Sequence, residues 1–378
     1  MESAPAGALS LQKGLNMPYP IIDGHEDLAY NAITFGRDYL RSAMDTRAAE
    51  KYSAVPERGG ECMLGWPDWQ NAHVAVIFCT LFAMPKRYQG GDWEKVAYGT
   101  LDEAHVVYQK QLDYYQRLAG DNPLKFRILH EKSQFQKLWQ GWHSDSEAIN
   151  PIGLLLLMEG SEGIQAASEM EDWYERGVRI AGPAWAGNRF CGGTYEPGRF
   201  TSEGRLLLEI MADLGMGLDI AHMTEESALE ALDCFEGPVL ASHVTARILM
   251  KGKLGERLLT DTTICQVAEH DGVIGIMPYN KFLDPEWTKT SQRDKVSLQH
   301  YIDHIDHVCQ LTGSSQYVAI GTDFDGTIGY PEVPLELTTI ADLQKLEPNL
   351  IERGYKQVDI ERIFGLNWAR IIERVLPA

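Results

Sequence analysis

The chain has 378 residues, 44% apolar and 23% charged, an ordinary globular make-up with room for one large α/β barrel or two medium domains. Its 34 basic and 54 acidic side chains leave a net charge of −20, which argues against a nucleic-acid or anionic-membrane partner, since either calls for a basic face. No apolar run approaches the roughly 20 residues of a bilayer span, so no membrane partner is expected.

Residues 1–18 read as an N-terminal extension, and MESAPAGALSLQKGLN lacks the basic start and apolar core of a secretory signal. The six cysteines are widely spaced and none forms a C-x-x-C pair, a pattern of free thiols in a reducing compartment. A cytoplasmic location is expected.

Eight short apolar runs follow, at residues 19–23, 73–80, 152–158, 178–184, 216–221, 238–242, 273–277 and 317–321. Most are continuous rather than alternating, as in strands covered on both faces. Helical patterns lie between them. Residues 202–215 have apolar side chains at helical spacing and end in glycine, and residues 224–235 open with Thr224 and acids in the first turn. Residues 260–272 and 297–313 read as two more helices. This alternation predicts a single (β/α)8 barrel of the TIM type over residues 1–378. The rival doubly wound sheet lacks a G-x-G-x-x-G after its first strand. Residues 36–68 are turn-rich and read as a loop excursion over the barrel mouth. Residues 189–199 read as an active-site loop after strand four, and residues 340–378 as a helical tail packed outside the barrel.

Barrel active sites gather at the C-terminal ends of the strands, and there the chain places imidazoles and carboxylates. His25 and Asp27 stand two apart after strand one, so both can reach one metal ion. Glu159 directly follows five apolar residues of strand three, and a carboxylate can bridge two ions through its two oxygens. His222 and His243 end strands five and six at matching depth, as ligands of one ion would. Imidazole and carboxylate together favour zinc, with manganese or cobalt as alternatives. Asp323 and Asp325 follow strand eight, which neighbours strand one in a closed barrel. Asp323 should then lie beside His25 and Asp27 as an acid/base group, whereas Asp325 reads as part of a solvated D-x-D-G turn. His300, His304 and His307 share a helical face, but their helix precedes strand eight and leads to the far end of the barrel, so a structural role is expected.

In sequence order, DGHEDL at 23–28, MEG at 158–160, GVR at 177–179, LDIAH at 218–222, SH at 242–243, ERLLTD at 256–261, GTDFDG at 321–326 and GLNWAR at 365–370 resemble the renal, or membrane, dipeptidase family of zinc peptidases. The resemblance implies a barrel with two zinc ions, His25 and Asp27 on one, His222 and His243 on the other, and Glu159 bridging them. It implies Asp323 as acid/base residue, Arg257 as the partner of a substrate carboxylate, and a homodimer. The expected substrate is a small dipeptide with a free carboxylate, attacked by a hydroxide bridging the two ions. One departure concerns the family histidine after strand four, whose place Trp185 takes in the stretch GVRIAGPAWAGN. An indole N–H donates a hydrogen bond but accepts none. Trp185 and Asn188 are expected at the substrate, and Trp185 keeps open a hydrolase of another small amide, an N-acyl amino acid or a lactone. A non-catalytic metal-binding barrel is the third reading, against which stands Asp323 beside a full ligand set.

Overall fold

The computed structural model describes residues 18–144 and 149–378; apart from Pro18, the expected N-terminal extension lies outside them. All eight expected strands form: β1 (Ile21–Glu26), β2 (Val74–Phe82), β3 (Ile152–Glu159), β4 (Val178–Ala181), β5 (Gly217–Asp219), β6 (Val239–Val244), β7 (Val273–Ile276) and β8 (Val318–Ile320). They pair in chain order, each parallel to its neighbours. Every residue in them is buried, which is why their sequences are continuously apolar. The segment after β8 brings the ring round to β1. Phe324 bridges to Glu26, the Asp323 N–H donates to the His25 carbonyl at 3.0 Å, and the Thr322 N–H and hydroxyl donate to the Asp23 carboxylate at 2.8 and 2.6 Å. A short strand, Phe126–Ile128, also pairs with β3 beside the ring.

The principal helices are α1 (Leu28–Phe35), α2 (Leu101–Asp121), α3 (Lys132–Trp142), α4 (Ser202–Asp213), α5 (Glu225–Cys234), α6 (Asp261–Glu269), α7 (Leu298–Thr312) and α8 (Asn367–Val375). The four expected between strands start where the sequence places them. Thr201, Thr224 and Thr260 accept from the N–H groups of Gly204, Ser227 and Thr263, caps worth about 1 kcal/mol each. In α7, His304 is buried and accepts from the Ala246 N–H at 3.1 Å, while His307 pairs with Asp261 at 2.8 Å. This is the structural role expected of that cluster. Among the described residues no helix is long and apolar enough to cross a membrane.

The C-terminal helices pack outside the strand ring, and α8 closes one end of it. It touches β1, β5, β7 and β8, strands on different sides of the ring, and Val375 lies against Gly217, the first residue of β5. The closed end is therefore the one opposite the mouth. Trp368 enters the ring there, fully buried, its indole N–H donating to the Ile320 carbonyl at 2.7 Å and its ring centroid 5.0 Å from that of Phe78. A Cβ on Gly24 would stand 2.6 Å from this indole, so β1 needs glycine at that point.

Two expectations need correction. Residues 36–68 are not only loop: they hold the short helices Ala43–Glu50 and Val55–Gly59 and the start of Trp66–Ala72. Asp325 is not solvated. It is fully buried and pins this excursion at the mouth, accepting from Tyr39 Oη at 2.9 Å and the Met63 N–H at 2.8 Å and pairing with Arg37 Nη1 at 3.1 Å. The buried Arg37 guanidinium requires a counter-charge, and Asp325 supplies it together with Glu50 at 2.9 Å.

Candidate metal centre

Glu159 ends β3, His25 and His243 stand one residue before the ends of β1 and β6, and the turns after β1, β5 and β8 add Asp27, His222 and Asp323. All six are buried, and the structure brings all six together as the sequence predicts. His222 and Asp323 have φ of 69° and 55°, in the left-handed region that costs non-glycine residues about 1–3 kcal/mol. Such strain persists only where surrounding structure imposes it.

Glu159 lies at the centre. Its Oε1 is 3.0 Å from His222 Nε2 and 3.4 Å from His243 Nε2, and those nitrogens are 3.0 Å apart. Its Oε2 faces His25 Nε2 at 3.5 Å. Two potential ligand groups share it: His25, Asp27 and Glu159, and Glu159, His222 and His243. Ligands about 2.0–2.1 Å from a tetrahedral ion stand roughly 3.3 Å from each other, so the spacing suits divalent cations.

The outer atoms prepare the inner ones. The Ser242 hydroxyl donates to Asp219 Oδ2 at 2.6 Å, which spends its only hydrogen. It can therefore only accept from His25 Nδ1 at 3.2 Å and His243 Nδ1 at 2.8 Å. Both rings then keep a proton on Nδ1 and point Nε2 inward, the nitrogen a metal would take, displacing the second proton of His25. Thr194 Oγ1 lies 3.0 Å from His222 Nδ1, and the Thr80 hydroxyl donates to Asp27. His25 Nε2 is buried with no hydrogen-bond partner, an orphan that a cation would satisfy. Asp219 is close enough to His25 and His243 to count as a ligand, but Ser242 and Ala221 already occupy its oxygens, so it buttresses them.

Electrostatics tell the same story. Burial would lower the His25 imidazole, yet Glu159, Asp27 and Asp323 hold it up to about 10. Burial, then Glu159, lifts Asp27 to about 6. Burial lowers His222 to about 4, with Arg257 adding to the effect, and puts His243 well below its ordinary value. Burial raises the Asp323 carboxyl well above its usual range against the pull of His25, with Asp27 and Glu159 adding to the rise. A cluster this rich in buried carboxylates calls for positive charge, and divalent ions would displace the proton from His25.

Beside the centre opens a cavity of about 540 Å³, lined among others by Arg257 and Trp185. Arg257 is buried. Its Nη2 donates to the His243 carbonyl at 2.9 Å, its guanidinium carbon is 5.4 Å from the Phe282 ring centroid, and its Nη1 has no partner. Trp185 is half-buried, 5.7 Å from the His222 ring. Asn188 is a correction: it does not line the cavity. Its Nδ2 donates to Glu162 at 3.0 Å and the Pro183 carbonyl at 2.9 Å, while its Oδ1 accepts from the Phe190 and Cys191 N–H groups, so it shapes the loop. Sequence reasoning missed Ser242, Asp219 and Thr194. The dipeptide Ser242–His243 offered one signal, a hydroxyl adjoining a ligand.

The family model for membrane dipeptidase, peptidase family M19, matches residues 11–377. An uncharacterised dipeptidase of Schizosaccharomyces pombe is 26% identical over 364 residues, which cover 93% of this chain and 80% of that one. Dipeptidase aclJ of Aspergillus oryzae is 24% identical over 363 residues, 93% and 77% of the two chains. In fold, the chain is similar to a Rhodobacter sphaeroides metallo peptidase solved with a phosphinate mimic of the dipeptide L-Ala-D-Ala, with TM-score 0.76 and 18% identity over 95% of this chain and 100% of the other. A barrel in this topology, a full-length family match and a convergent set of imidazoles and carboxylates agree: the chain belongs to the membrane dipeptidase family, peptidase family M19.

Proposed function

We propose that this metal-dependent dipeptidase works with two divalent ions, zinc the expected metal, His25 and Asp27 holding one, His222 and His243 the other, and Glu159 shared between them. The observation that carries this is Glu159 itself, one oxygen facing the His222–His243 pair at 3.0 and 3.4 Å and the other facing His25 at 3.5 Å. Such ions supply Lewis acidity and lower the pKa of coordinated water from 15.7 to about 7.

The chain's own groups do the rest. Arg257 takes the free carboxylate of the dipeptide on its unpartnered Nη1, while its Nη2 stays tied to the His243 carbonyl. This anchors the scissile bond beside the ligand cluster. Asp323, 3.9 Å from His25 Nε2, accepts the proton of the attacking water and delivers it to the departing amine, a role its raised proton affinity suits. The Ser242–Asp219 pair keeps two imidazoles in register throughout.

Elemental analysis of the purified protein should find about two divalent ions per chain, and dipeptide turnover should fall on chelation and return with zinc. Fewer than one ion, or turnover indifferent to chelator, overturns the proposal. A homodimer and a cytoplasmic location belong to the same reading; the six free cysteines support the second. Sedimentation and cell fractionation test the two.

A further inference from the structure

The cavity has two unlike walls. Around the ring, β2 and β4 flank β3, and β6 and β7 lie across from them. Arg257 follows β6, joined by Met277 after β7 and by the more distal Phe282. Tyr279 and Phe282 make that side aromatic in part, but Glu256, Arg257 and Lys281 charge it; the opposite wall is aromatic without such charges. Phe82 is in register with Glu159 across the β2–β3 ladder, and Trp185 and Tyr195 both stand in the loop that follows β4. The ring centroids of Phe82 and Trp185, and of Trp185 and Tyr195, are each 5.2 Å apart, the spacing of packed aromatic pairs. Apart from Asp27 and Glu159 of the metal group, the lining contributed by β1 to β4 and the loops after them carries no charged side chain.

If Arg257 holds the carboxylate of the C-terminal residue, the N-terminal residue projects across the metal group toward this aromatic wall. We infer that the enzyme prefers dipeptides whose N-terminal residue is bulky and apolar, aromatic above all, and that Phe82, Trp185 and Tyr195 set this preference. The inference rests on the dipeptidase reading and on the orientation Arg257 imposes. A small side chain leaves the wall unfilled; a charged one loses its water with no partner in return.

The test compares kcat/KM for Phe-Ala, Leu-Ala, Ala-Ala, Asp-Ala and the reversed Ala-Phe, with zinc loaded, in the wild type and in Trp185→Ala and Tyr195→Ala. Tyr195 is 55% exposed, so its truncation spares the fold. The wild type should favour Phe-Ala over Ala-Ala and Asp-Ala by about tenfold or more, with no equal gain for Ala-Phe. Both variants should shrink the Phe-Ala to Ala-Ala ratio, chiefly by losing Phe-Ala. Equal turnover of all these peptides, or ratios unchanged in both variants, overturns the preference while the dipeptidase reading stands. Absence of turnover on every peptide overturns that reading and the inference with it.

Discussion

Asp323 owes its chemistry to its setting. Burial and the neighbouring Asp27 and Glu159 raise its carboxyl, and a left-handed backbone aims it at His25. Asp323→Asn keeps the shape and removes the proton site. It should retain its metal by elemental analysis and lose about 10²–10⁴ in kcat; undiminished turnover would assign the proton to another group. Glu162 offers a second test, separate from the ligands. Burial lifts its carboxyl from 4.5 to about 7, so between those values the folded state binds the proton and the unfolded state does not. Its contribution therefore falls as pH rises through this window, by on the order of 3 kcal/mol at about 1.4 kcal/mol per pH unit. Glu162→Gln, which holds no titrating proton, should gain stability relative to the wild type as pH rises from 4.5 to about 7 in urea melts. A constant difference across that range refutes the assignment.

At the scale of elements, the mouth and the floor of the ring are each fixed by one buried side chain. Asp325 ties down the excursion that carries Arg37, Tyr39 and Met63. Asp325→Ala leaves Arg37 with Glu50 as its one counter-charge and should cost about 3–5 kcal/mol, read as a lower urea midpoint. Trp368→Ala should cost about 3–5 kcal/mol by opening the floor. The reach of sequence reasoning follows from the same elements. His25, Asp27, Glu159, His222, His243 and Asp323 were legible because each ends an apolar run, and a parallel barrel sends all such ends to one face. Asp325 was misread because its burial depends on Arg37, distant in the chain, and a D-x-D-G turn looks alike wet or dry. Asn188 was misplaced because closeness to Trp185 in sequence does not fix which way a loop residue faces. The strand Phe126–Ile128 escaped because three residues with an exposed Arg127 make no apolar run. The pattern of α8 shows an apolar face without saying that it covers the end of the ring.

For the molecule as a whole, the metal proposed for this cluster would bear on folding as well as on reaction. With net charge −20 overall, the ring buries Asp27, Glu159 and Asp323 together, and cations that bind only the folded state stabilise it. Free zinc at about 100 times its Kd should add about 2.7 kcal/mol per site. Denaturant unfolding with and without chelator measures this, and coincident curves would detach the metal from the fold. The floor has a consequence of its own. Ribosomes deliver Trp368 only after every strand of the ring has emerged, and until that indole arrives the hollow beneath the ligands stands open to water. Nascent chains stalled before residue 368 should remain soft to protease and fail to retain metal, so catalytic competence is conferred at a late moment of synthesis rather than strand by strand.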